Sequence, residues 1–390
     1  MKGKIVFALA LLMLCVVVLC SCNEETEPID EDLLDYFYLD DGTLGVSVGD
    51  AIGEREIVIP EEVDGRKVTK ILGSGFISCK SLRKITMPDS ITVIGGSAFA
   101  DCDALEEVSF SKNLKTIEFG AFKGCSALKA ADLPEGLSEL GNYVFTDCID
   151  LERVSIPKSL ISIGTYCFEN AYSLKGVLDL SNVESIGHYA FSKCKSLEEV
   201  SLNNEVVEVC CFFDCEKLKK VSLGSGVSAI NEGSFKGCSS LVAVDMSPSV
   251  TKIGTSAFEN CVSLVEITIP EKIETVNSSS FKNCSSLATL NFVGAPKTIS
   301  GYAFFGCTSL TEVVLPKGVL TISDSSFDNC SNLKSIYIPK TVISVGMNFN
   351  HAHPDFTIYY AGPKATWSVI AYFVFTDDIT VYYDYEYGGE

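Results

Sequence analysis

Histidine and tryptophan are nearly missing from this chain: 390 residues contain three histidines (His188, His351 and His353) and one tryptophan. Histidine is the side chain that titrates near neutral pH and the commonest metal ligand. None of the three stands in a His-Glu-x-x-His pattern or among other ligand types, so no metal, cofactor or catalytic centre is expected and the chain does not read as an enzyme. Basic residues are also in short supply, 30 against 51 acidic, for a net charge of −21. Such a field repels phosphate backbones and anionic membranes, which removes nucleic acid from the expected partners. Beyond the first twenty or so residues no apolar run reaches the length of a membrane-spanning helix.

What is abundant is cysteine, and its spacing organises the sequence. From Cys79 the residue recurs every 23 positions at Cys102, Cys125 and Cys148, and again at Cys194, Cys215, Cys238, Cys261, Cys284, Cys307 and Cys330, with one step of 21 between Cys194 and Cys215 and Ala171 in the empty slot. Three residues before each slot stands a phenylalanine, from Phe76 to Phe327, and three after it a leucine, from Leu82 to Leu333. These twelve copies are a solenoid signature, because a unit this short cannot bury its own apolar face and must stack on a neighbour.

One copy, Ala257 to Pro270, shows how a coil is built. Leu264, Ile267 and Ile269 point inward while Glu266 and Thr268 alternate outward, the period of a strand. Pro270, which has no N–H for a ladder, ends the strand. A second apolar position seven residues on lines the return path, from Ile94 to Val345, with Val209 assigned to the coil between Ile186 and Ile230. Glycines at 95, 141, 164, 187, 254 and 346 follow it, where a turn of positive φ is expected. The Ala-Phe-x-x-Cys segment is too short for more than about a turn of helix. The fold class is therefore a β-rich α/β solenoid with a parallel sheet on one face and irregular or short helical returns, stacked at roughly 4.8 Å per coil. Cys210-Cys211 marks the shortened coil, and Gly176-Val177-Leu178-Asp179-Leu180 slips the strand alternation by one, as a bulge does.

The repeat Ala-Phe-x-x-Cys-x-x-Leu-x-x-Ile-x-Ile-Pro resembles the BspA-like bacterial leucine-rich repeats. The resemblance implies a right-handed, curved leucine-rich-repeat solenoid over residues 71–350, a capping coil over 36–70 (Ile57-Val58-Ile59-Pro60, Asp64-Gly65) and an aromatic C-terminal cap over 351–390. It also implies adhesion to host or bacterial surface components.

At the start, Lys2 and Lys4 precede the apolar run Ile5–Leu19, which has signal-peptide length. Leu19-Cys20-Ser21-Cys22 resembles a bacterial lipobox, implying a signal over 1–21, lipid on Cys22 as the sole membrane attachment, and an acidic flexible tether over 22–35. That arrangement is similar to outer-membrane surface lipoproteins of Bacteroidetes. The ladder cysteines are read as buried free thiols, since neighbouring coils hold their Cβ vectors parallel.

Outward strand positions form the candidate partner-binding face: Lys84, Thr86, Glu107, Ser109, Asp132, Arg153, Ser155, Glu199, Ser201, Lys220, Ser222, Asp245, Glu266, Thr268, Asn291, Glu312 and Tyr337. A protein or glycan ligand lying along them is the leading function; the alternative is glycan capture by an aromatic patch at Tyr360 and Trp367, which requires both rings to be accessible. Asp89-Ser90-Ile91 resembles a short O-glycosylation acceptor.

Overall fold

The structure, a computed structural model, describes residues 33–346, 352–371 and 379–387. The chain winds into a parallel β-solenoid of about 14 turns with few helices. Each coil contributes a strand to one side, such as Glu266–Ile269, and a two-residue strand, such as Thr275–Val276, to the return path. Register is set by the period: Glu266 pairs with Thr289 and Ile267 with Leu290, 23 residues on. Ile267 and Ile269 are buried and Glu266 and Thr268 exposed, as the alternation requires.

The twelve phenylalanines form one unbroken internal stack from Phe76 to Phe327, with adjacent ring centroids 5.1–5.5 Å apart. No ring is more than 1% exposed. Burial of each such side chain stabilises by roughly 1.5–3 kcal/mol relative to water. The cysteine and leucine columns run beside it, equally buried.

The segment carrying Phe and Cys is a run of turns without helix. Two left-handed residues per coil prevent helix propagation, for example Tyr166 (φ 57) and Asn170 (φ 60). Its N–H groups bond the next coil instead: Phe168 N donates to Ala190 O at 2.7 Å and Asn170 N to Ser192 O at 3.0 Å. The left-handed sites are not the glycines at 95, 141, 164, 187, 254 and 346, none of which has positive φ. Those glycines are needed for space. A Cβ on Gly164 would lie 2.5 Å from the carbonyl carbon of Gly141 in the coil below.

The parallel sheet is divided into shorter ladders. On the strand face the ladder is interrupted between Glu107–Ser109 and Ala130–Asp132, between Arg153–Ser155 and Gly176–Leu180, between Ala243–Asp245 and Glu266–Ile269, and between Thr289–Phe292 and Glu312–Val314. The second of these is the irregular coil, whose register shifts between Gly176 and Val177. The return ladder breaks once, between Ser185–Ile186 and Val206–Val207. There Val207, not Val209, pairs with Ile230 and is buried. The two missing residues thus lie in the connection Asn203-Asn204-Glu205, and Cys210-Cys211 sits in a turn of ordinary length, with Cys210 in the left-handed slot (φ 51) that Tyr189 fills one coil earlier.

At the N-terminal end, Asp35–Tyr38 and Leu44–Ser47 form an antiparallel hairpin, and Leu44–Ser47 joins Arg66–Ile71 in parallel, placing Val46 over the end of the core. At the other end Thr357–Tyr360 extends the strand ladder, and the helix Lys364–Ile370 lays Trp367 against Tyr360 at 5.2 Å. No helix among the described residues is long and apolar enough to cross a membrane.

Candidate partner-binding face

None of the seventeen outward positions is buried. Much of their charge is spent within the face. Lys84 Nζ lies 2.9 Å from Glu107 Oε1, Arg153 holds Asp132 through both guanidinium nitrogens, and Lys220 Nζ lies 3.1 Å from Asp245 Oδ2, which also accepts from Ser222 Oγ at 3.1 Å. All of these pairs join neighbouring coils, and being exposed, each contributes at most about 1 kcal/mol. Their effect is to turn the middle of the face into a neutralised polar ribbon. Glu199 and Glu266 stand outside these pairs, and Glu312 accepts a hydrogen bond from Ser335 Oγ at 3.3 Å.

Where the ladder opens between Ala243–Asp245 and Glu266–Ile269, a groove of about 360 Å³ lies on the face, lined in part by Asp245, Met246, Glu266, Thr268 and Val293. Two of the outward carboxylates, Asp245 and Glu266, line it.

The aromatic patch is corrected by the structure. Tyr360 is 0% and Trp367 4% exposed, because the two rings plug the last coil, and Gly362 is small because a Cβ there would meet the Tyr360 ring at 2.7 Å. Neither can stack on a sugar. The accessible aromatics lie on the opposite side of the same strands. Tyr337, Tyr359 and Tyr382 occupy successive outward positions and stack at 4.7 and 5.4 Å, while Tyr385 and Tyr387 lean against Tyr337 at 5.5 and 4.6 Å. Burial and the nearby Glu312 carboxylate push the Tyr337 phenol up to about 12. Tyr337 was visible from the repeat, but its partners fall outside the 23-residue frame.

A second exterior row, Phe119, Tyr143, Tyr166 and Tyr189, follows the turn side with centroids 4.9–5.2 Å apart. The row ends where Cys210 takes the tyrosine slot; donation from the Tyr189 phenol to the Cys210 sulfur pushes the phenol up to about 12, and burial raises Cys210 itself. Raised thiols are poor nucleophiles. The ladder thiols are free and buried, and from Cys125 to Cys330 each is also raised chiefly by desolvation, as at Cys215 and Cys284; at the first two coils the hydrogen bond between Cys79 and Cys102 dominates, raising Cys102 and lowering Cys79.

Other signals resolve into structure. Ser90 is 9% exposed and donates to Glu61 O at 3.3 Å, so the hydroxyl of the acceptor-like motif is largely covered, with Asp89 exposed beside it. Gly45-Val46-Ser47-Val48-Gly49 has the lettering of a nucleophile elbow, but Ser47 ends a hairpin strand and is followed only by a five-residue 3-10 segment, Gly49–Gly53, in place of the α-helix that the elbow requires. His188 lies 3.4 Å from Glu208, and His353 Nδ1 accepts from the Asp355 N–H at 3.1 Å. Among the described residues no group of three or more metal-binding side chains occurs. Cys22 and His351 lie outside the described residues.

The family model for the BspA type leucine rich repeat region matches residues 55–175, 175–288 and 232–353. No curated protein sequence matches the chain. Among solved structures, a leucine rich cell surface protein from Faecalibacterium prausnitzii is similar at 24% identity over 89% of this chain and 98% of that one, with a TM-score of 0.45. A leucine-rich repeat protein from Bacteroides ovatus is 24% identical over 92% and 99%, with a TM-score of 0.43. The pneumococcal vaccine antigen PcpA is 17% identical over 91% and 98%, with a TM-score of 0.50, a likeness of fold. With the match running through most of its coils, the chain belongs to the BspA-type leucine-rich repeat family.

Proposed function

We propose that this protein is a non-enzymatic, surface-displayed lipoprotein whose strand face binds a macromolecular partner in adhesion to host or bacterial surfaces. The supporting observation is a division of labour: the repeated Phe, Cys and Leu side chains are consumed by the core, while seventeen outward side chains remain accessible along one rigid side. A face of that extent suits a large partner better than a small molecule. Leucine-rich repeat proteins of this family are in general binding scaffolds. The reading also takes residues 1–21 as a signal, Cys22 as the lipidated anchor to the outer membrane and 22–35 as a tether, with the solenoid spanning 71–350 between caps at 36–70 and 351–390. Glycan capture rested on Tyr360 and Trp367 and loses that basis with their burial.

The test is display of the full chain on cells, with binding measured to matrix proteins and to whole bacteria. Charge reversal at Glu199 and Glu266 should reduce capture, and Cys22→Ser should release the protein from the membrane fraction. No capture of any matrix protein or cell, with the chain accessible to surface labelling, would remove adhesion.

A further inference from the structure

We infer that the tyrosine cluster at the C-terminal end of the strand face recognises a lysine- or arginine-bearing segment of a protein partner. The inference deepens the adhesion reading and rests on it, by naming where on the face contact is made and with what chemistry.

Tyr337, Tyr359 and Tyr382 form a row of stacked rings on three successive strands, Ser335–Ile338, Thr357–Tyr360 and Thr380–Tyr382. Tyr382 belongs to the last strand of that sheet among the described residues and is 53% exposed, so the row ends in an accessible ring. Tyr387 is 57% exposed and meets Tyr337 edge-on at 65°, and Tyr385 is tilted by 50° against Tyr359, so rings at two orientations share one patch. Tyrosine in such numbers supplies large rigid contact area at low entropic cost.

Charge selects the occupant. The described residues 352–371 and 379–387 carry Asp355, Asp384 and Glu386 against a single lysine, Lys364. That ammonium lies over the neighbouring Tyr383 ring at 5.9 Å, so a local cation is itself placed on an aromatic face, while Lys334 and Lys340 flank the Tyr337 strand as exposed residues. Glu312 adds a further carboxylate beside Tyr337. Ring faces framed by carboxylates attract cations through the aromatic quadrupole and through net charge together. An acidic or phosphorylated partner is repelled at the same place.

The experiment uses the full chain and fluorescent extended peptides of alternating Lys-Ser, Gln-Ser and Glu-Ser, followed by anisotropy at low and physiological salt. The Lys-Ser peptide should bind, the other two should not, and Tyr382→Ala should weaken binding roughly fivefold. Tyr382→Phe keeps the ring and should retain it, while Glu274→Gln, exposed beside the return strand Thr275–Val276, should leave it unchanged. Equal binding of the Gln-Ser peptide, or full affinity in Tyr382→Ala, overturns the inference. Capture of a matrix protein that is lost on charge reversal at Glu199 and Glu266 but untouched by Tyr382→Ala overturns it while leaving adhesion standing.

Discussion

The thiol of Cys238 donates a hydrogen bond to the carbonyl oxygen of Phe212 in the preceding coil, 3.2 Å away. The same contact recurs in nine other coils at 3.0–3.3 Å. The Phe212 carbonyl has only a long bond from Cys215 N, 3.4 Å, within its own coil. Cysteine therefore does more than fill space: it satisfies a buried acceptor while remaining small and apolar.

Cys238→Ala should destabilise by about 1–2 kcal/mol, the sum of a lost hydrogen bond and a small cavity. Ala171→Cys restores a thiol where the Phe145 carbonyl lacks one and should leave stability unchanged or raised. Thermal and denaturant melts check both; an unaltered Cys238→Ala would show the thiol to be a mere filler.

The phenylalanine stack should respond according to position. Phe258 has ring neighbours on both sides at 5.4 Å, while among the described residues Phe327 has one, Phe304 at 5.2 Å. Phe258→Ala is expected to cost about 3–5 kcal/mol, and Phe327→Ala less, as nearest-neighbour stacking requires. Equal losses in denaturant titrations would contradict a one-dimensional core.

Stability should fall at alkaline pH. Desolvation raises the ladder thiols from Cys125 onward above their ordinary 9.0, Cys330 to about 12 and others further. The unfolded chain then releases thiol protons before the folded one does, so the unfolded state binds fewer protons above about pH 9. The contribution is full below that pH and is lost as pH rises toward the folded values, by up to ~1.4 kcal/mol per unit per thiol. A melting temperature that stays level from pH 8 to about 11 would exclude this linkage.

Two glycines should behave oppositely. Gly164→Ala forces a Cβ to within 2.5 Å of backbone and should cost about 1–3 kcal/mol. Gly120→Ser should be tolerated to within about 1 kcal/mol, although Gly120 has φ 60, because Ser97 and Tyr143 occupy that left-handed slot in adjacent coils. Melts of the two variants distinguish steric need from conformational need.

Legibility followed the repeat. Ile267 and Ile269 inward and Thr268 outward were readable from a period of two, and the Phe, Cys and Leu columns from a period of 23. The errors arose where two alignments fit equally well. Val207 and Val209 both carry the right side chain and face, and only the pairing of Val207 with Ile230 chooses between them. The glycines at 95 to 346 invite a positive-φ reading, yet what they supply is the absence of a Cβ against the coil below, a contact between residues 22 or 23 apart. The tyrosine cluster was half visible: Tyr337 sits in frame, but Tyr385 and Tyr387 reach it from a segment with no repeat.

By itself the sequence determined the coil, its inward set and the continuity of its core, because those depend on a pattern each unit shares with its neighbours and on interactions that add along the array. The tertiary structure alone decided where the strand ladder opens, which aromatics close the end and which remain in water. Those outcomes turn on contacts made once, between Tyr360 and Trp367 or Tyr337 and Tyr387, and a contact without repetition leaves no period to read.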